Sequence, residues 1–280
     1  MATISGGAFN DFVFGTSASD FIAGGAGHDA LFGASGDDVL HGETGNDFMN
    51  GGTGNDVLDG GEGNDTLHGG TGNDDLSGGA GDDTLMGNAG SDNMRGGLGD
   101  DLMRGGTGDD ALRGGAGNDE MYGDAGDDRL RGGSGDDEIS GGTGDDRLWG
   151  GAGDDQLFGD NGDDRLIGGN GDDMLMGGAG DDVLNGGRGD DVMIGGQGDD
   201  LFVFSGGGDV IMDFSEGDML QIASSLPGVV LDDASSIADF AVDLGQAGTL
   251  IDFGQGDSVF LNGVSYDDIA ADPSKFFEVV

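Results

Sequence analysis

Aspartate stands at every ninth position from Asp11 to Asp200, 22 times without a gap. A row of carboxylates this regular points to the binding of hard divalent cations, because carboxylate oxygens are calcium-type ligands. Two other positions keep the same period. A glycine stands five residues before each Asp (Gly6, Gly15, Gly24 and on to Gly195), and an apolar residue stands two after it (Val13, Ile22, Leu31 and on to Phe202). The nine-residue unit Gly-Gly-x-Gly-x-Asp-x-apolar-x therefore fills residues 6–203. Self-similarity of this kind decides the architecture before any single residue is weighed.

The elements that must position these carboxylates follow from the unit itself. Its glycine-dense half tolerates backbone angles closed to other residues and predicts a tight turn. The stretch x-apolar-x predicts a minimal strand with one inward side chain. One such strand cannot bury its apolar residue alone, so the units must stack. Taken two per coil, the 22 units predict an all-β flattened solenoid of about 11 coils, roughly 50 Å long at a strand spacing of about 4.8 Å. Its core is one apolar residue per strand, too thin to offset the ordering entropy of so many glycines. A disordered acidic chain is the alternative, but it would scatter its apolar residues instead of holding 22 in register.

Charge supplies the missing stabilisation. The chain carries 57 acids against 9 bases, a formal net charge of −48. Residues 6–203 hold 43 of the acids and 8 arginines, so the repeats alone carry −35. Stacking places each Asp over its counterpart 18 residues away, as Asp110 over Asp128, and the column repels itself unless cations enter it. Two columns of 11 turns have 10 gaps each, a ceiling of about 20 ions. Twenty Ca2+ would add about +40 and leave about −8.

Units such as Gly51-Gly52-Thr53-Gly54-Asn55-Asp56-Val57-Leu58-Asp59 resemble the RTX repeats of hemolysin-type calcium-binding proteins. The resemblance covers about 70% of the chain, residues 6–203 of 280. It implies a right-handed parallel β-roll with each calcium between turns of successive coils, held by Asp carboxylates and carbonyls of the glycine half. The implied ligands are Asp29, Asp38, Asp47, Asp56, Asp65, Asp74, Asp83, Asp92, Asp101, Asp110, Asp119, Asp128, Asp137, Asp146, Asp155, Asp164, Asp173, Asp182, Asp191 and Asp200. Asp11 and Asp20 are set apart, because Phe9 and Ala18 stand where the turn wants its third glycine. Those units read as an N-terminal cap, residues 1–23, ahead of a calcium-binding roll over 24–203. Six units lack the second glycine, at Thr16, Ala34, Glu43, Asn88, Asp124 and Asp160. Asn and Asp tolerate strained turns better than Thr, Ala or Glu, so the weakest sites are expected near the N-terminal end.

Residues 204–280 change character. Glycine thins out, and Leu201-Phe202-Val203-Phe204, residues 209–214, 249–253 and 258–261 predict longer strands, with a helical turn around 266–271. The segment reads as a β-rich cap over the open end of the solenoid. It also resembles the C-terminal region of exported RTX proteins. Phe276-Phe277-Glu278-Val279-Val280 is similar to the terminus recognised by type I ABC exporters. No cleavable signal peptide, membrane-spanning run or cysteine is visible in the sequence. The resemblance thus implies a secreted chain that folds on calcium outside the cell, where metal-binding free energy serves as folding free energy.

Catalysis is not expected. His28, His41 and His68 sit at positions that stacking keeps apart, and the acid pairs read as ligands and turn formers. Nucleic acid is disfavoured by the negative charge. Ice binding is disfavoured because only Thr66 and Thr84 are threonines at the outward strand positions. One face carries Arg95, Arg113, Arg129, Arg131, Arg147, Trp149 and Arg165 on successive rungs. Two readings stay open there: arginine heads paired with turn carboxylates, or a docking face for acidic polysaccharide or another protein, with Trp149 as anchor. Self-association through Glu120 and Glu138 of the opposite face is a form of the second. An apolar strip near Met174, Met176, Val192 and Ile194 is expected to lie under the cap. The expected role is structural or interactive at the cell surface or in the extracellular matrix. The alternatives are a small secreted effector resembling calcium-binding nodulation proteins and a polysaccharide-binding accessory module.

Overall fold

Each nine-residue unit folds the same way, as Val57–Glu62 shows: the strand begins just after the Asp, turns its apolar residue inward and runs on through the next two glycines. The strand is six residues long, against the three expected from x-apolar-x. The extension has a steric cause. The first glycine points inward beside the apolar residue, and only a side chain of zero size fits there. Ile22 and its successors at every ninth residue through Phe202 are all fully buried, and Val13 is 8% exposed.

The computed structural model describes residues 2–222, 231 and 233–280. It is a parallel β-solenoid, and the chain divides into two compact units, residues 1–144 and 145–280. In the first unit every strand pairs in parallel with the strand two repeats away, offset by 18 residues, as Val57 with Val39 and with Asp75. Alternate strands therefore form two sheets. One runs from Thr3–Ser5 to Arg129–Ser134, the other from Phe12–Phe14 to Glu138–Thr143.

In the second unit the same pairing continues past residue 203. Gly208–Ile211 pairs in parallel with Val192–Gln197, and Met219–Ile222 with Leu201–Phe204. The coil series is thus longer than the sequence repeat suggested. Phe277–Val279 then adds in parallel to Met219–Ile222, and Asp257–Asn262 to Gly208–Ile211. Among the described residues antiparallel pairing enters with Gly248–Gly254 and Ala241–Asp243. A short helix, Tyr266–Ala271, is capped by the Ser265 hydroxyl, which accepts from Asp267 N–H at 3.1 Å.

The second glycine of a unit has positive φ, for instance +103° at Gly61. Ala34, Glu43, Asn88, Asp124 and Asp160 adopt the same region at φ between 73° and 82°, so the turn geometry overrides residue type. Thr16 does not appear among these positive-φ residues.

Because each strand contributes one large inward side chain, Leu112→Ala is expected to cost about 2–5 kcal/mol in calcium. The neighbouring outward change Ala111→Ser should stay within about 0.5 kcal/mol. Urea unfolding of both variants measures the difference.

Candidate metal centre

The repeated Asp is carried to the base of each turn by the strand that follows it, and there it is buried. Every Asp from Asp20 to Asp218 at the nine-residue spacing is at most 3% exposed. Carboxylates are almost never found so deep unless something pairs with them. One oxygen is paired. Asp92 N–H donates to Asp110 Oδ1 at 2.7 Å, and Asp110 N–H donates to Asp128 Oδ1 at 2.7 Å, so each carboxylate is tied to the coil before it. The other oxygen is not. At Asp29 and every ninth residue through Asp119, and at Asp164, Asp173, Asp182, Asp191 and Asp209, Oδ2 is buried with no hydrogen-bond partner.

The space these oxygens face is set by the first glycine of the unit. A Cβ on Gly33 would lie 2.5 Å from Asp38 Oδ2 and 2.6 Å from the carbonyl oxygen of Gly51, one coil on. A carboxylate oxygen and a main-chain carbonyl oxygen thus flank the volume that the missing side chain leaves. Both are hard donors, and calcium takes six to eight of them with flexible geometry. Among the described residues no three acidic or histidine side chains converge on one point. A cation held here would therefore complete its shell largely from main-chain carbonyls. Calcium fits this donor set.

Burial pushes the carboxyls of Asp74, Asp83, Asp101, Asp110, Asp173 and Asp182 up to about 7. The N–H bond from the preceding coil pulls each back, and neighbouring carboxylates push it up again. Asp209 is pushed up to about 8 for the same reasons, burial first. A carboxylate in this state resists ionisation unless a cation replaces the proton.

The chain belongs to the RTX calcium-binding nonapeptide repeat family. The profile of that repeat, in four copies, matches overlapping windows that together run from residue 5 to residue 211. Comparison with curated proteins finds no match. Among solved structures, a Ca2+-dependent β-helical antifreeze protein from an Antarctic bacterium is 20% identical, with 79% of this chain and 77% of that one covered at a TM-score of 0.46. The AlgE6R3 subunit of the Azotobacter vinelandii mannuronan C5-epimerase is 28% identical, covering 53% and 80%, with a TM-score of 0.32. The extracellular lipase LipA of Serratia marcescens is 22% identical over 86% of this chain but only 42% of its own, with a TM-score of 0.25.

Within this RTX array, Asp29 through Asp200 occupy equivalent places at the turns. Asp20 differs, because its Oδ2 accepts from both the N–H and the hydroxyl of Thr16 at 2.7 Å. Asp11 Oδ2 likewise accepts from Gly7 N–H at 2.6 Å.

Two features escaped the sequence reading. Asp209 and Asp218 continue the column, Asp191 N–H donating to Asp209 and Asp200 N–H to Asp218. Their spacing and the apolar Ile211 and Leu220 two residues on were the available signal. It was masked because Phe204 and Asp213 replace the first glycine. The second feature is an outer ladder at the residue before each Asp. Asp100 N–H donates back to Asp82 Oδ1 at 3.0 Å, while Asp101 N–H donates forward to Asp119 Oδ1 at 3.0 Å. Asn, Asp, Ser or His fills that position in every unit, a side-chain acceptor each time.

The histidines stand apart in separate contacts. His28 Nδ1 accepts from Asn46 N–H at 2.7 Å, His41 lies 3.4 Å from Asp59, and His68 packs on Phe48.

Among the described residues the ion pairs of arginine and lysine are Arg104–Asp124 and Lys275–Glu216, so Arg95, Arg113, Arg129, Arg131, Arg147 and Arg165 do not pair with turn carboxylates. The turn acids are held in the ladders instead. Trp149 is a half-buried register partner of Ile167, beside Arg147 and Arg165. Of the apolar strip, Met174, Met176 and Ile194 are half-buried and Val192 is 36% exposed, while the strand Asp257–Asn262 adds to the sheet edge at Gly208–Ile211.

Asp110→Asn keeps the size and removes the charge. In hundredfold-saturating calcium it is expected to lose about 2.7 kcal/mol per abolished site, with fewer ions bound per chain by equilibrium dialysis. In chelator it should stabilise the fold. The raised carboxyl pKa values set the pH dependence. Without metal, stability is fullest below the unfolded carboxyl pKa and is lost as pH rises through about 7. The β signal in chelator should therefore be larger at about pH 5 than at about pH 8. Calcium affinity should run the other way, weakening as protons compete at the lower pH.

Proposed function

We propose that this chain is a secreted calcium-binding protein whose repeats stay unfolded where calcium is scarce and fold outside the cell, where its role is structural rather than catalytic. The observation that carries the reading is the repeated buried Oδ2 without a partner, present in turn after turn. A chain that buries so many half-satisfied carboxylates has a fold poorly supported without metal and well supported with it. Membership of the RTX calcium-binding repeat family supports the same reading. No helix among the described residues is long and apolar enough to cross a membrane. Export through a type I ABC exporter is proposed from the likeness of Phe276-Phe277-Glu278-Val279-Val280 to segments such exporters recognise, and the site of action is the cell surface or the extracellular matrix.

Titration followed by circular dichroism should place the folding midpoint at about 10⁻⁴–10⁻³ M calcium, the range of extracellular modules. A midpoint in the cytosolic sensor range, about 10⁻⁷–10⁻⁵ M, would contradict an external role. Co-expression with a type I exporter should deliver the chain to the medium, and deleting residues 276–280 should retain it in the cell. Equal delivery of both forms would remove the exporter from the account.

A further inference from the structure

In the unit formed by residues 1–144, three successive strands of one sheet present Asn93 and Arg95, Ala111 and Arg113, and Arg129 and Arg131 outward. Arg95, Arg113 and Arg131 are direct register partners, so three guanidinium groups share one rank at the strand spacing of about 4.8 Å. All four arginines are exposed, and among the described residues none has a carboxylate at ion-pair distance. No acid occupies an outward position on these strands, and Asp75, one strand earlier, accepts from the Asn93 amide at 2.8 Å.

Like charges set directly opposite across strands destabilise a sheet. In a chain with 57 acids, exchanging two of these 4 arginines for acids would neutralise the rank. The opposite sheet shows that the chain can do this, since Arg104 reaches Asp124 and lies over the Tyr122 ring at 4.8 Å. Between Arg113 and Arg131 a shallow cavity of about 300 Å3 is lined by Gly115, Gly132, Gly133 and Ser134, so no bulky side chain blocks approach to the main chain.

We propose that this rank binds a linear polyanion lying along the coil stack, with acidic groups on one side recurring at twice the ~4.8 Å strand spacing. An extended polyuronate has that chemistry, because successive rings turn over and every second carboxylate faces the rank, where Arg95 and Arg131 stand two strands apart. Guanidinium forks engage carboxylates bidentately, and the glycine-lined cavity receives the ring between two engaged groups. The inference rests on the extracellular reading above and names the partner class for it. Calcium in the turns assists by lowering the negative charge that would repel such a chain.

The test is calorimetric titration of the full-length protein with polygalacturonate oligomers too short to gel, in saturating calcium, with circular dichroism of every sample. Wild type is expected to bind. R113S/R131S should fold normally and bind at least tenfold more weakly, while R104S should bind as wild type. Equal binding by R113S/R131S, or no binding by a wild type that is folded, overturns the proposal. Concentration-dependent self-association of wild type that R113S/R131S loses would assign the face to Glu120 and Glu138 of a second copy and overturn it too. A wild type that fails to fold in calcium would instead overturn the extracellular calcium reading beneath it.

Discussion

Everything in this fold depends on carboxylates stacked one above another inside the protein. Unit charges at the strand spacing of about 4.8 Å repel by roughly 3 kcal/mol at an effective dielectric of about 20. The backbone answers half of the problem. Each repeated Asp gives Oδ1 to the N–H of the coil before it, as Asp92 and Asp110 show. The other oxygen is left in a dry space beside a carbonyl, and burial then lifts the carboxyl to about 7 at Asp110. Protons or cations must neutralise it. Near neutral pH and in saturating calcium, the cation wins.

The first glycine of each unit serves the carboxylate, and the second and third serve the turn. At Gly33 a methyl group would occupy the place that Asp38 Oδ2 and the Gly51 carbonyl share, so the first glycine is a steric requirement of the site. Two consecutive N–H groups of a turn bond in opposite directions, as Asp100 backward to Asp82 and Asp101 forward to Asp119. Each coil is thereby clamped to both neighbours through side chains as well as strands. A cation bound in one turn consequently orders the next, which makes the folding transition cooperative along the stack.

The inward row from Val13 to Phe202 was legible because its period has no exception, and the same spacing located the buried Asp series. What stayed hidden lay where one position of the unit changed while the geometry persisted. Asp209 keeps the column although Phe204 has replaced its glycine, because the apolar Ile211 still anchors the strand. Strand length was underestimated because glycine was read as turn, whereas Gly60 lies inside the strand Val57–Glu62. Pairing of the arginines with turn acids was one of two readings open in the sequence. The ladders hold those acids instead, and Arg113 and Arg131 remain free at the surface.

The most direct test of the account is circular dichroism of the purified chain at about pH 8, where the raised carboxyls are ionised, in chelator, in magnesium and across a calcium titration. The account predicts a coil in chelator and in magnesium, and a cooperative transition to β structure that takes up many calcium ions per chain. A chain already fully folded in chelator at that pH would contradict it, because the buried carboxylate columns would then stand without metal.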